Sequence, residues 1–218
     1  DTLRNPEHPC SVILGGSKID DKIALIKNMM YKAELILIGG AMASTFLKVQ
    51  GKNVGASLID QDNLNTAEDI LSLAEKTNTN IVLPVDVVAG SKLSDDTTWR
   101  IANLDQLKTG EAGYDIGPET TMEFEMILSN AKTIFWNGPL GVSEIPAFST
   151  GTQAIASAVI DQTEEGAISI IGGGDTASAL KQYGLEAGFT HISTGGGASL
   201  QLMSGKQLPA LEALQEYA

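Results

Sequence analysis

The stretch Ser11-Val12-Ile13-Leu14-Gly15-Gly16-Ser17-Lys18-Ile19-Asp20-Asp21-Lys22 shows the plan of the whole chain on a small scale. A short apolar run ends on two glycines, and a polar segment of helical character starts just beyond them. A strand that is apolar at nearly every position is buried on both faces, as in parallel sheets covered by helices. The same junction recurs at Gly39-Gly40, at Gly172, Gly173 and Gly174, and at Gly195, Gly196 and Gly197. Working outward, strand-like runs stand at 11–14, 35–38, 81–85, 133–136, 168–171 and 191–193. Helical patterns stand at 21–33, 41–49, 65–76, 118–131, 150–163 and 176–182, the fourth opened by Pro118 and Glu119, which suit a helix start. Alternation of this kind predicts right-handed crossovers. The expected fold is α/β: a doubly wound, mostly parallel, six-stranded sheet in three layers, Rossmann-like, with helices on both faces. The polar, weakly periodic stretch 90–113 reads as an excursion at the sheet edge. No linker or low-complexity tract divides the chain.

Composition narrows the function. Fourteen Lys plus Arg against twenty-seven Asp plus Glu give a net charge of −13 over 218 residues. Such a surface argues against nucleic acid and anionic membranes, both of which need clustered positive charge. A single cysteine, Cys10, rules out an internal disulfide framework and a cysteine-based zinc site, and fits a reducing compartment. No apolar run approaches the roughly 18 residues of a membrane span. The expectation is a cytoplasmic, monomeric protein, and the start at Asp1, without an initiator Met, reads as a cut in a longer chain.

Four glycine-rich junctions at strand ends direct attention to one sheet edge, where helix N-termini offer free N–H groups to anions. Glycines also serve tight turns, so no single cluster decides the matter. Lys18 and Lys22 lie four residues apart and can face one anion, or can pair with Asp20 and Asp21 in solvent. Lys22, placed in a first helical turn, opposes the helix dipole unless a phosphate offsets it. Asp175, after the third cluster, can cap the next helix or serve Mg²⁺ beside phosphates. The segment is not a Walker P-loop, and G-x-G-x-x-G is missing from its usual setting, which leaves a nicotinamide-dependent oxidoreductase on fold analogy alone. His191, in an apolar strand without a second histidine nearby, reads as structural.

Six ordered motifs carry a resemblance. They are Gly15-Gly16-Ser17-Lys18-Ile19-Asp20-Asp21-Lys22, Pro84-Val85-Asp86-Val87-Val88, Asp115-Ile116-Gly117-Pro118, Trp136-Asn137-Gly138-Pro139-Leu140-Gly141-Val142, Gly172-Gly173-Gly174-Asp175-Thr176 and Ser193-Thr194-Gly195-Gly196-Gly197-Ala198-Ser199. In order and spacing they resemble the C-terminal half of phosphoglycerate kinase over nearly the whole chain. The resemblance implies that residues 1–218 form the nucleotide-binding domain of a two-domain kinase. It implies ADP or ATP with Mg²⁺ as ligand, and 3-phosphoglycerate bound only through a basic N-terminal domain absent from this chain. It further implies that Ser17 and Lys22 meet the nucleotide phosphates and that Lys18 follows the phosphoryl group in transfer. Gly173 and Gly196 would offer backbone donors to that group, Asp175 would engage Mg²⁺, and Thr176 the phosphates. Glu144 would accept from the ribose hydroxyls, with Gly40, Ala41, Gly113, Gly138 and Leu140 lining the adenosine site. Three positions depart from the family pattern: Ala41 where a third glycine is usual, Tyr114 where Leu is common, and Ser143 where Phe is common. They bear on base packing and leave the phosphate chemistry untouched. A nucleotide-binding module without transferase activity remains the alternative.

Overall fold

The computed structural model describes residues 2, 5–193, 195, 201, 204 and 205. The strands in chain order are β1 (Cys10–Leu14), β2 (Leu35–Ile38), β3 (Asn80–Val82), β4 (Asp86–Gly90), β5 (Trp99–Asn103), β6 (Ala112–Ile116), β7 (Thr133–Asn137), β8 (Ile168–Gly172) and β9 (His191–Ser193). The helices are α1 (Ile23–Met29), α2 (Gly40–Val49), α3 (Leu64–Thr77), α4 (Pro118–Leu128), α5 (Thr150–Glu164) and α6 (Gly174–Gln182). None is long and apolar enough to cross a membrane.

Six strands form one parallel sheet in the order β3-β2-β1-β7-β8-β9. The expected three layers follow from strand alternation. Val12 and Leu14 of β1 pack on one face with Leu25 and Met29 of α1, Phe46 of α2 and Ile70 of α3. Ile13 points to the other face, where Ile134 and Trp136 of β7 meet Phe124 and Leu128 of α4, Ile155 of α5 and Leu180 of α6. Each large apolar side chain buried this way stabilises the fold by about 1.5–3 kcal/mol.

Local boundaries differ from the sequence reading by three or more residues in three elements. Residues 20–22 form a separate 3₁₀ turn ahead of α1, which ends at Met29 because the chain must turn into β2. α4 closes at Leu128, where the Ser129 N–H donates to the Glu125 carbonyl at 3.0 Å. β3 ends at Val82, and Pro84, with no N–H to offer a ladder, marks the departure from the sheet.

The larger correction concerns 90–113. This stretch belongs to a second, antiparallel sheet of order β5-β4-β6. β5 exposes alternate residues, including Trp99 and Ile101, so its apolar content reads as weak periodicity. Its position depends on pairing with β4 and on Arg100, whose guanidinium donates to the Glu111 carboxylate at 2.7 and 3.0 Å and to the Gln106 carbonyl at 2.8 Å. The second sheet is tied to α4 by buried Asp86, whose carboxylate accepts the free N–H groups of Glu119 at 3.0 Å and Thr120 at 2.8 Å.

A second buried carboxylate, Asp115 of β6, accepts the Gly151 N–H at the start of α5 at 2.7 Å and the Ile116 N–H at 2.9 Å. Burial pushes its pKa up to about 7, against the opposing pull of those two donors. A folded pKa above the unfolded value means that the proton favours the folded state. That contribution is complete below about pH 4 and is lost as pH rises through about 7. Relative to Asp115→Asn, which does not titrate, the unmodified chain is expected to lose about 2–3 kcal/mol between pH 5 and 8. Denaturant titrations of both chains across that range check the difference in slope, and parallel curves would refute it.

The sheet runs outward in both directions from the boundary between β1 and β7, so this boundary is its topological switch point. The turns leaving the two strands touch. The Gly15 N–H donates to the Asn137 carbonyl at 3.0 Å, and the Gly16 N–H to the Pro139 carbonyl at 2.9 Å. A Cβ on Gly15 would lie 2.0 Å from the Pro139 oxygen, and one on Gly138, whose φ is +95°, 2.3 Å from the Gly15 oxygen. Gly15→Ala is therefore expected to cost about 3 kcal/mol, whereas Gly174→Ala, with nothing within 4 Å of its added carbon, should change stability little. Equal melting temperatures for the two variants would contradict this account.

Candidate functional site

At the switch point the chain builds a cleft of about 220 Å³ lined by Gly16, Ser17, Lys18, Asp21 and Lys22, by Asn137 and Gly138, and by Gly173, Gly174, Asp175 and Thr176. Three of the glycine junctions read from sequence contribute to this region. Backbone bonds tie the second junction to the first and to the turn after β7: the Met42 N–H donates to the Gly16 carbonyl at 3.0 Å and the Gly40 N–H to the Leu140 carbonyl at 2.8 Å. The fourth junction contains Gly196, which lies outside the described residues.

Lys22 is buried, and its Nζ donates to Asn137 Oδ1 at 2.6 Å. It closes the 3₁₀ turn, held by its own N–H to the Ile19 carbonyl at 2.8 Å, and does not project from the first turn of α1 as the sequence implied. Buried Ile19 anchors that turn and aims Lys22 across the cleft. Burial lowers the lysine pKa by taking water from its charged form, while the Asp21 and Asp175 carboxylates act in the opposite direction. Lys18 and Ser17 stand exposed at the mouth.

Asn137, whose role the sequence motif alone does not disclose, lines the cleft beside Lys22. Its amide also donates to the Gly172 carbonyl at 2.9 Å, so one side chain orients Lys22 and couples the ends of β7 and β8. A polar residue closing an otherwise apolar strand was the available signal. Asp21, which also lines the cleft, was read only as a partner for the lysines.

On the third wall, Gly173 takes the N-cap position of α6. Asp175 is therefore the second residue of the helix, exposed and without a capping bond, so the capping alternative does not hold. The Thr176 hydroxyl accepts the Gly138 N–H at 2.7 Å and donates to the Gly172 carbonyl at 3.3 Å. Among the described residues no group of three or more His, Cys, Asp or Glu could hold a metal by itself. A carboxylate at the edge of an anion cleft suits a cation that arrives with phosphates and needs few protein ligands.

A neighbouring pocket is lined by Gly40, Gly113, Tyr114, Leu140 and Val87 among others. The Gly113 N–H donates to the Ser57 hydroxyl at 2.9 Å, and the Tyr114 ring tilts against Phe148 with centroids 4.9 Å apart. Ala41 follows Gly40 in the first turn of α2 and lines neither cavity. Glu144 is exposed on the loop after β7, outside both linings.

Residues 1–206 match the family described as Phosphoglycerate kinase. The chain is 50% identical over 214 residues to a phosphoglycerate kinase of Prosthecochloris aestuarii, covering 98% of this chain and 54% of that protein. It is 49% identical over 210 residues to one from Corynebacterium urealyticum, covering 96% of this chain and 52% of the relative. Among solved structures, phosphoglycerate kinase from Coxiella burnetii superposes with a TM-score of 0.93 at 41% identity, covering 98% of this chain and 54% of that one. The chain thus spans about half the length of the curated relatives it matches. With sequence likeness and fold agreeing over nearly all of its residues, the chain belongs to the phosphoglycerate kinase family.

Proposed function

We propose that this chain is the nucleotide-binding half of a phosphoglycerate kinase, holding Mg-ADP or Mg-ATP for reversible phosphoryl transfer between 1,3-bisphosphoglycerate and ADP in glycolysis. The observation that carries the reading is the 220 Å³ cleft at the switch point, where Lys18, Lys22 and the start of α6 face one space. Phosphoryl transfer needs positioning and charge stabilisation and requires no covalent nucleophile. Lys22, oriented by Asn137, holds the nucleotide phosphates. Lys18, more exposed and ahead of the turn, follows the migrating group. The backbone N–H groups of Gly173, Gly174 and Thr176, at the positive end of α6, add donors that need no reorganisation. Bound through Asp175, directly or through water, Mg²⁺ would neutralise charge on the phosphates.

In this reading the adenosine lies along Gly40, Ala41, Gly113, Gly138 and Leu140, with Glu144 toward the ribose. Gly196 supplies a further donor to the transferring group. The acceptor, 3-phosphoglycerate, would be held by the half of the relatives' length that this chain does not span. The protein is proposed to act in the cytoplasm as a monomer.

Calorimetry tests the central claim. The 218-residue chain is expected to bind ADP more tightly with Mg²⁺ than without it, and 3-phosphoglycerate weakly or not at all. Because the Asp175 side chain makes no capping bond, Asp175→Asn should leave the melting temperature unchanged and remove the Mg²⁺ enhancement. No ADP binding in the unmodified chain would refute the reading.

Lys22 and Lys18 should separate kinetically in a protein of the relatives' full length. Lys22→Ala removes a contact made in ground and transition states alike, so it should chiefly raise the KM for ATP. Lys18→Ala should chiefly lower kcat, by about a hundredfold or more, the effect of removing one preorganised charge stabiliser. Steady-state rates at saturating 3-phosphoglycerate distinguish them, and near-normal kcat in Lys18→Ala would reduce Lys18 to a solvated partner of Asp20 or Asp21.

A further inference from the structure

The loop between β7 and α5 is pinned on both sides of Glu144. The Leu140 and Gly141 N–H groups donate to the Thr152 hydroxyl at 3.0 and 3.2 Å, and the Val142 N–H to the Tyr114 carbonyl at 2.9 Å. The Ile145 N–H donates to the Val142 carbonyl at 3.1 Å. A further hold comes from a distant element. Tyr183, at the C-terminal end of α6, donates its hydroxyl to the Ser143 carbonyl at 3.1 Å, forty residues away in the chain. Ser143 is buried, and the carbonyl that Tyr183 engages belongs to the peptide bond leading directly into Glu144.

We propose that Tyr183 is a positioning residue for ribose selectivity: by fixing the peptide ahead of Glu144 from the end of α6, it presents that carboxylate to the sugar hydroxyls of a bound nucleotide. The proposal rests on the nucleotide reading above and adds a residue to it. Two further observations support the geometry. The Tyr183 ring is half-buried, so its hydroxyl is held and does not sweep through solvent. Its pKa is raised chiefly by burial, against the pull of the Ser149 side chain, with smaller contributions from the Asp115 and Glu144 carboxylates, which places the hydroxyl in the field of the group it is proposed to position. The same helix starts at Gly174 beside the phosphate cleft and ends at Gln182, with Tyr183 as its C-cap beside the ribose loop. One rigid element of nine residues therefore spaces the two ends of the ligand site.

The test is Tyr183→Phe, which keeps the ring and removes only the hydroxyl, measured by calorimetry with Mg-ADP and with the Mg complex of 2′,3′-dideoxy-ADP. A merely structural tyrosine would affect both ligands alike. The expected result is about a three- to tenfold loss of affinity for ADP, the scale of one hydrogen bond, with dideoxy-ADP affinity within about twofold of the unmodified chain. Equal losses for the two ligands, or no loss for ADP, would overturn the proposal. So would an unmodified chain that binds both ligands equally, since Glu144 would then not read the ribose. If the unmodified chain binds neither, the nucleotide reading falls, and the proposal with it. Matching melting temperatures for the two chains are expected, because the residue's packing is retained.

Discussion

The arrangement of the site depends on how closely two turns approach each other at the centre of the sheet. Where β1 and β7 end, the N–H groups of Gly15 and Gly16 donate to the carbonyls of Asn137 and Pro139 at 3.0 and 2.9 Å. Only glycine at position 15 allows the Pro139 carbonyl to come that near. The contact brings Asn137 within reach of Lys22, and the adjoining turn after β8 places α6 behind both. Widening this junction by one methyl group would disturb the strand ends, the lysine and the helix terminus together, because interiors packed at crystal-like density do not absorb such a change locally.

Electrostatic placement follows a consistent rule in this acidic chain. Lys22 is oriented by an amide and not by a carboxylate, so its direction is set without cancelling its charge. The two buried carboxylates, Asp86 and Asp115, are directed at free N–H groups where helices α4 and α5 begin, which keeps them away from the cleft. Lys18 and Lys22 thus share the cleft with Asp21 and Asp175 alone among the carboxylates of its lining, in a molecule whose net charge is −13. A low-dielectric wall strengthens a charge placed this way, at the cost of desolvating it, and the lowered lysine pKa records that cost.

The sequence disclosed what is written in local pattern. The four inner strands of the parallel sheet were legible because both of their faces are covered, which leaves near-continuous apolar runs. The cleft was legible because glycine pairs mark strand ends. β5 was not, since its alternating exposure and its Arg100–Glu111 anchor become meaningful only when β4 lies beside it. The role of Asn137 is not written locally, because its partners lie 35 and 115 residues away. The burial of Lys22 escaped notice for a similar reason: the 3₁₀ turn that sets its direction is dictated by where Ile19 finds the core. Placing Asp175 second in α6 needed one conformational fact, that Gly173 occupies the N-cap.

The bond between Lys22 and Asn137 also has a kinetic side. It closes a loop of 115 residues. Pairing of β1 with β2 requires far less chain, so half of the parallel sheet can assemble from near neighbours, whereas the seam between β1 and β7 must await the return of a distant segment after the second sheet and α4 have been threaded past. Contacts of such high sequence separation slow folding, because closure entropy is lost before the contacts repay it. The cleft lies on that seam and has no counterpart in either half of the sheet alone. The anion affinity proposed for this cleft would accordingly be a property of the finished topology, and its appearance during refolding would date the joining of the two halves.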